Sequence, residues 1–198
     1  MIANTHIIFS KYIFSHCLKH LNFKLNKVMF IYGNIKPDFF PEGAHSSHTI
    51  RTNIMDVKEY AARLMTQKLD INEFSLTLGV LCHYICDFFC IYHNERRRGK
   101  SLTEHIKYEL LLHIKLKRLL SNGSFKPLME TLSGDRDILW IISDLQESYD
   151  REMDTAVKDL SYAVTAAMII AESIICCSEL FSRPEKNHEM HRVLVTAK

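Results

Sequence analysis

Apolar residues recur every three or four positions along most of this chain, which is the spacing of helices with one buried face. Only 6 Gly and 4 Pro are available to interrupt that pattern. The pattern predicts helices over about residues 5–21, 54–67, 72–89, 101–120, 135–148 and 150–181. We therefore expect an all-α protein, built as a compact multi-helix bundle.

The helical spacing breaks down over residues 30–49. Two glycines and two prolines fall within this stretch, so we expect a loop of about twenty residues there. A loop of that length inside a compact domain is usually functional or disordered, and its aromatic residues argue against disorder. It contains Asp38, His45 and His48, which makes it a candidate part of a polar site.

The helix predicted over 72–89 is apolar on nearly all sides, so we expect it to be the central, buried one. It nevertheless carries His83 and Asp87, which are four apart and therefore project from one face. Burying these two side chains in an apolar setting costs several kcal/mol unless they are paired or bound to a metal. The pattern thus indicates a functional site within the core.

A second pair, His105 and Glu109, is also four apart, on a helix whose predicted N-cap is Ser101. His93 lies between the two pairs. A single pair of this kind is usually an exposed ion pair. Two such pairs on consecutive helices, with a histidine between them, favour a metal site, because zinc binds imidazole nitrogen and carboxylate oxygen.

Length and charge narrow the classes of function. The 198 residues suffice for a sizeable core, and we expect a single helical domain over 1–198 with a frayed tail at 183–198. Lys and Arg total 25 against 23 Asp and Glu, a formal net charge of +2. Such a balance argues against nucleic-acid binding through bulk electrostatics, so we expect no specific nucleic-acid partner.

Cysteine spacing and hydropathy bear on the compartment. Cys82, Cys86 and Cys90 share one helical face and no CxxC spacing occurs, so we interpret them as small buried residues in a reducing compartment. The longest apolar run, 160–181, contains two glutamates and is better explained as a core helix than as a transmembrane span. The first residues lack the basic start of a signal peptide, so we expect a cytoplasmic protein.

The remaining histidines offer weaker candidates. His16 and His20 are four apart on the first predicted helix, but no carboxylate accompanies them, which favours a solvated face. We interpret His113 as a surface or core histidine and place His188 and His191 in the frayed tail.

Eight residues together resemble, in order and type, the metal ligands of the bacterial zinc-dependent phospholipase C family. They are His6, Asp38, His48, His83, Asp87, His93, His105 and Glu109. The resemblance is tightest over 83–109, whereas the sequence between the ligands is not specific. Related nucleases of the S1/P1 type differ at the last pair, where they carry a longer gap and an Asp, so Glu109 favours the phospholipase side.

The resemblance implies a cluster of two or three zinc ions between helices. The implied ligand sets are His48, His83, Asp87 and Asp38 for one ion, His93, His105 and Glu109 for a second, and His6 with a bridging Asp87 for a third. His45 competes with His48 for its role. Asp38 is also the implied candidate to orient or deprotonate the attacking water.

This chain departs from the family at two points. Family members present a processed Trp at the mature N-terminus, whose amine and carbonyl bind the third ion. Here the sequence reads Met1-Ile2, so the third ion would use the Met1 amine, use another ligand, or be weakly bound. Toxin-type members also carry a C-terminal lipid-binding β-sandwich, for which we expect no room in this chain.

The resemblance implies a zinc-dependent phosphodiester hydrolase that cleaves phospholipid to diacylglycerol and a phosphorylated head group, with peripheral membrane contact. Two alternatives stay open. One is an S1/P1-like nuclease or other phosphodiesterase, in which Arg96–Arg98 could grip a phosphate backbone. The other is a non-catalytic helical protein whose zinc is structural.

Overall fold

The computed structural model describes residues 1–40, 48–94, 101–128 and 137–181, and within these ranges the protein is all-α. The elements in chain order are α1 (Ala3–His20), α2 (Lys27–Phe39), α3 (Ile50–Thr66), α4 (Ile71–Phe88), a 3-10 turn (Ile91–His93), α5 (Leu102–Ser121), α6 (Ile138–Arg151) and α7 (Ala156–Cys177). No strand occurs in the described ranges. The all-α prediction is confirmed.

Helix α4 lies at the centre of the bundle, as its sequence predicts. It packs against α1, α2, α3 and α7. Every residue from 74 to 91 is buried except the half-buried Leu76. Cys82, Cys86 and Cys90 are buried free thiols, in agreement with the interpretation that they fill the core.

Helix α7 is the second core helix. It contacts α1, α3, α4, α5 and α6. By length and composition alone it could cross a membrane, but 72% of its most apolar window is buried against the rest of the protein. A helix that is apolar on most sides and covered on most sides is accounted for by the core of the bundle.

A helix occupies the first part of the stretch predicted to be a loop over 30–49. The Asn26 side chain caps α2 by accepting hydrogen bonds from two backbone amides of the first turn. The helix then continues through Pro37 and ends at Phe39. The loop prediction is therefore wrong up to this point, and residues 41–47 lie outside the described part of the chain.

Close packing of α2 on α4 explains why a glycine inside α2 does not end the helix. A Cβ atom at Gly33 would lie 2.1 Å from the Leu76 carbonyl oxygen, and one at Gly79 would lie 2.3 Å from the Phe30 carbonyl oxygen. The two backbones touch at this crossing, so each glycine is required for tertiary contact. Helix packing outweighs the weak local preference against helix in this segment.

Helix boundaries follow capping side chains. Ser101 caps α5 with a reciprocal bond from Glu104, as predicted. Helix α7 begins later than predicted, at Ala156, because the Thr155 side chain accepts a hydrogen bond from the Lys158 amide.

We expect Gly79→Ala to lower the free energy of unfolding by about 3 kcal/mol, because the added methyl group meets backbone that cannot move aside. Urea or thermal unfolding followed by circular dichroism measures the change. Met55→Ala, on an α3 position that is 68% exposed, is the control and should change stability by less than about 0.5 kcal/mol. Wild-type stability in Gly79→Ala would contradict the close crossing of α2 and α4.

Candidate metal centre

The structure brings the eight predicted metal ligands to one place in the bundle. Their positions are His6 on α1, Asp38 on α2, His48 just before α3, His83 and Asp87 on α4, His93 in the 3-10 turn, and His105 and Glu109 on α5. Three trios have all their ligand atoms within 4.8 Å of one another: His6, His83 and Asp87; Asp38, His48 and His83; and His93, His105 and Glu109.

Asp87 lies between two groups of histidines and is fully buried. Its Oδ1 is 3.3 Å from His6 Nε2. Its Oδ2 is 2.8 Å from His48 Nδ1 and 3.4 Å from His83 Nε2. Oδ1 therefore faces the His6 ring and Oδ2 faces the other two rings, which is the arrangement a bridging carboxylate requires.

His93, His105 and Glu109 form the second group. Glu109 Oε1 is 3.0 Å from His93 Nε2 and 2.9 Å from His105 Nε2, and the two ring nitrogens are 3.1 Å apart. Ligand atoms about 2.0–2.2 Å from one tetrahedral ion lie roughly 3.4 Å from each other. These separations are close to that spacing, so the trio fits a single zinc ion.

Buried ring nitrogens at the centre of the cluster are arranged as ligands for a cation. Within the described residues, neither ring nitrogen of the fully buried His6 has a hydrogen-bond partner. His48 Nδ1 and His83 Nε2 face each other at 2.9 Å. Buried polar atoms are normally satisfied, and a zinc ion bound to a ring nitrogen of His6 would supply a partner that this ring otherwise lacks. The donor set therefore fits zinc.

Backbone carbonyls orient two of the imidazoles. His83 Nδ1 donates to the Asn34 carbonyl at 2.9 Å, and His93 Nδ1 donates to the His48 carbonyl at 3.2 Å. In each ring the hydrogen bond fixes the tautomer and leaves Nε2 directed at the candidate site. Sequence reasoning missed Asn34, and no side-chain pattern could have found it, because the contact is made by its main chain.

The electrostatics of the cluster favour the forms that bind metal. Burial lowers the pKa of His83 and of His93, so both rings are neutral near pH 7. Burial by itself raises the pKa of Asp87, but the Met1 ammonium and the neighbouring histidines hold it well below the usual range. The pKa of Glu109 is also lowered, since hydrogen bonds from histidines outweigh its burial.

The Met1 amine lies inside the cluster. It contacts Asp87, and it is 3.0 Å from Glu109 Oε1 and 3.5 Å from His93 Nε2. Burial disfavours its charge, but these two carboxylates raise its pKa to about 12. The Met1 amine thus lies within reach of Asp87 and of the second trio.

A cavity of about 210 Å³ opens onto the cluster, and its walls include Met1, Pro37, Asp38, His48, His93, His105 and Glu109. The Asp38 side chain is 22% exposed and its Oδ1 is 3.8 Å from His83 Nε2. Burial raises the pKa of Asp38. A larger cavity of about 300 Å³, lined by residues of α3 and α6, contains none of the predicted ligands.

A buried carboxylate on α7, Asp159, holds in place the segments that carry His93 and Glu109. The sequence analysis did not identify this residue. Asp159 Oδ2 accepts hydrogen bonds from the Ile91 amide at 3.0 Å and the Tyr108 hydroxyl at 2.9 Å, and Oδ1 accepts one from the Tyr149 hydroxyl at 2.8 Å. Ile91 opens the 3-10 turn that ends in a predicted ligand, and Tyr108 precedes another. A carboxylate in an apolar helix was the available signal, as it was for Asp87.

The weaker candidates do not complete a metal site. His16 Nε2 is 2.9 Å from Glu172 Oε2, so the expectation of a pair without a carboxylate is wrong. Within the described part of the chain, however, neither His16 nor His20 belongs to any of the trios. His113 Nδ1 is 3.2 Å from the Thr5 hydroxyl, in agreement with a structural role. Outside the described residues lie His45, His188, His191 and Arg96–Arg98.

Comparison with known families decides the class of protein. A family model described as zinc-dependent phospholipase C matches residues 5–166. The chain belongs to the zinc-dependent phospholipase C family. The match spans all eight predicted ligands as well as Asp159, and both the family and the donor set support zinc as the metal. Searches of curated proteins and of solved structures returned no match.

We expect Asp159→Ala to lower the free energy of unfolding by about 3 kcal/mol, because it leaves three hydrogen-bond donors without their acceptor. It should also weaken zinc binding at the second trio about tenfold. Unfolding curves and competition with a chromophoric chelator measure the two effects.

Tyr149→Phe is the matched control, since it removes one of the same hydrogen bonds without touching the segments that carry ligands. It should cost about 1 kcal/mol and leave zinc affinity unchanged. Equal zinc affinity in Asp159→Ala and Tyr149→Phe would show that Asp159 does not position the trio.

Proposed function

We propose that this protein is a phosphodiester hydrolase of the phospholipase C type, which cleaves phospholipid to diacylglycerol and a phosphorylated head group. The observation that carries the proposal is the convergence of imidazole and carboxylate ligand atoms beside a cavity, in a chain of the zinc-dependent phospholipase C family. Clusters of this kind serve phosphodiester hydrolysis in proteins.

We assign the ligands to two or three ions from the geometry. His83 has only Nε2 available, and this atom is 2.9 Å from His48 Nδ1. His83 therefore joins Asp38 and His48 rather than His6, although the ligand atoms of both groupings lie close together. The proposed sets are Asp38, His48, His83 and Asp87; His93, His105 and Glu109; and His6, Asp87 and the Met1 amine.

Zinc bound at such a site lowers the pKa of a water molecule towards about 7 and neutralises charge on the phosphate. The contribution of the chain is to position the reactants and accept a proton. Asp38 lies in the cavity wall, and the water that attacks phosphorus can transfer its proton to Asp38 Oδ1.

The size of the cavity limits what it can hold. About 210 Å³ lies below the roughly 300–1,000 Å³ of pockets that enclose a whole drug-sized ligand. The space suits a phosphate with its head group, while the acyl chains of a lipid would remain outside. A substrate with its reactive phosphate at one end of the molecule therefore matches the site.

Metal analysis tests the centre itself. Protein purified without added zinc should contain two or three ions per chain, and His83→Ala should contain fewer and lose hydrolysis. His16→Ala, which alters a histidine outside the cluster, is the control and should keep the full metal content. Full activity in His83→Ala would refute the assignment of the site.

Substrate choice tests the reaction. We expect the zinc-loaded protein to release diacylglycerol from phosphatidylcholine, and Asp38→Asn to reduce kcat by about 10²–10⁴-fold if Asp38 accepts the proton. Zinc content measured on the same variant separates that role from a role as ligand. Faster cleavage of single-stranded DNA than of phosphatidylcholine would instead establish the nuclease alternative, and turnover of neither would favour structural zinc.

A further inference from the structure

We propose that the outer face of α5 docks this protein on an anionic lipid surface, with the metal cavity held at the level of the lipid head groups. The inference rests on the proposed function, because it supplies the surface on which the phospholipid is met. It is carried by a row of exposed apolar side chains, by the charges among them and by their position beside the cavity.

Large apolar side chains form an exposed row along α5, which we call the α5 stripe. Its members are Leu102, Ile106, Leu110 and Ile114, which are 73%, 53%, 50% and 44% exposed. They are spaced by four, so successive members lie one turn apart. Single exposed apolar residues are ordinary, but a continuous row on one helix marks an interaction surface.

Basic residues stand among the members of the α5 stripe. Lys107 lies two turns from Ile114, and Lys117 lies two turns from Leu110, so these lysines share the outer face of the helix. Arg118 extends the same basic surface, and all three are exposed. An apolar helix face mixed with lysine and arginine is the composition that binds an anionic membrane interface.

The α5 stripe borders the candidate active site. In the sequence, its first two members, Leu102 and Ile106, lie on either side of His105, which lines the cavity from α5. Across the cavity, Asp38 is followed directly by Phe39 and Phe40, which are 62% and 60% exposed. Exposed apolar side chains thus adjoin, along the chain, cavity-lining residues of both α2 and α5. A surface that contacts the stripe and these two rings would face the cavity.

The charges argue against two other occupants of this face. A second copy packed on it symmetrically would bring Lys107, Lys117 and Arg118 close to their own counterparts, which is unfavourable. Residues 182–198 carry more basic than acidic side chains, so this segment also has the same sign of charge. An anionic lipid surface complements the apolar and the charged parts of the face together.

Vesicle binding by the zinc-loaded full chain tests the proposal. The protein should co-sediment with vesicles of phosphatidylcholine mixed with phosphatidylglycerol, and less so with phosphatidylcholine alone or at high salt. The double variant Leu110→Gln/Ile114→Gln should bind the mixed vesicles about tenfold more weakly. Lys107→Gln and Lys117→Gln should each weaken binding about fivefold.

The matched control is Val28→Gln/Met153→Gln, which alters two apolar residues that are 74% and 85% exposed but lie outside α5. It should bind vesicles as the wild type does, and circular dichroism should show native helix content for every variant. Vesicle binding that is absent in the wild type, unchanged in the α5 variants, or equally reduced in the control would overturn the proposal. The proposal would also be overturned if the wild type were a dimer that the Leu110 and Ile114 changes dissociate while vesicle binding stays the same.

A soluble substrate separates this proposal from the proposed function. Short-chain phosphatidylcholine below its micelle concentration should be hydrolysed equally by the wild type and the α5 variants. Vesicle binding with the expected variant pattern but no hydrolysis would support docking while refuting the phospholipase assignment. Hydrolysis of the soluble substrate without vesicle binding would overturn docking and leave the phospholipase assignment intact.

Discussion

A carboxylate without access to water lies inside the central, buried helix of this protein, and the arrangement of the site depends on how its charge is compensated. Asp87 is fully buried on α4. An isolated charge in such a place is prohibitively costly, so positive or polar groups must surround it. Histidines from α1, from α4 and from the segment just before α3 do so, together with the Met1 amine. The same requirement makes the cluster a site for cations.

The two halves of the cluster are held by different parts of the bundle. The close crossing of α2 and α4 at Gly33 and Gly79 fixes the position of one half, because it brings the Asn34 carbonyl to the ring of His83. Asp159 on α7 fixes the position of the other half, because it accepts hydrogen bonds from the 3-10 turn and from α5. Catalytic geometry needs such rigid support, because small displacements of ligands are costly in rate.

Helix α5 has different surroundings on its two faces. Its inner face carries His105 and Glu109 into the cluster, whereas its outer face exposes the α5 stripe with its lysines. One rigid helix can thus relate the position of a membrane to that of the cavity. The small cavity agrees with the proposed substrate, because only the head-group end of a phospholipid would need to enter it.

The sequence by itself determined the helical class, the central position of α4 and the presence of a polar site in the core. These follow from local spacing and from the cost of burying His83 and Asp87, which hold whatever the neighbours are. The family resemblance then ordered the eight candidate ligands, and the family match confirmed the resemblance.

Only the tertiary structure decided where α2 runs, what orients the ligands and which face of α5 stays open. Gly33 and Pro37 indicate a loop when considered locally, but contact with Gly79 of α4 makes helix the better solution. The Asn34 carbonyl and the Asp159 carboxylate accept hydrogen bonds from residues far away in the sequence. Periodicity specifies which face of a helix can be buried, whereas the packing of all the helices determines which faces meet.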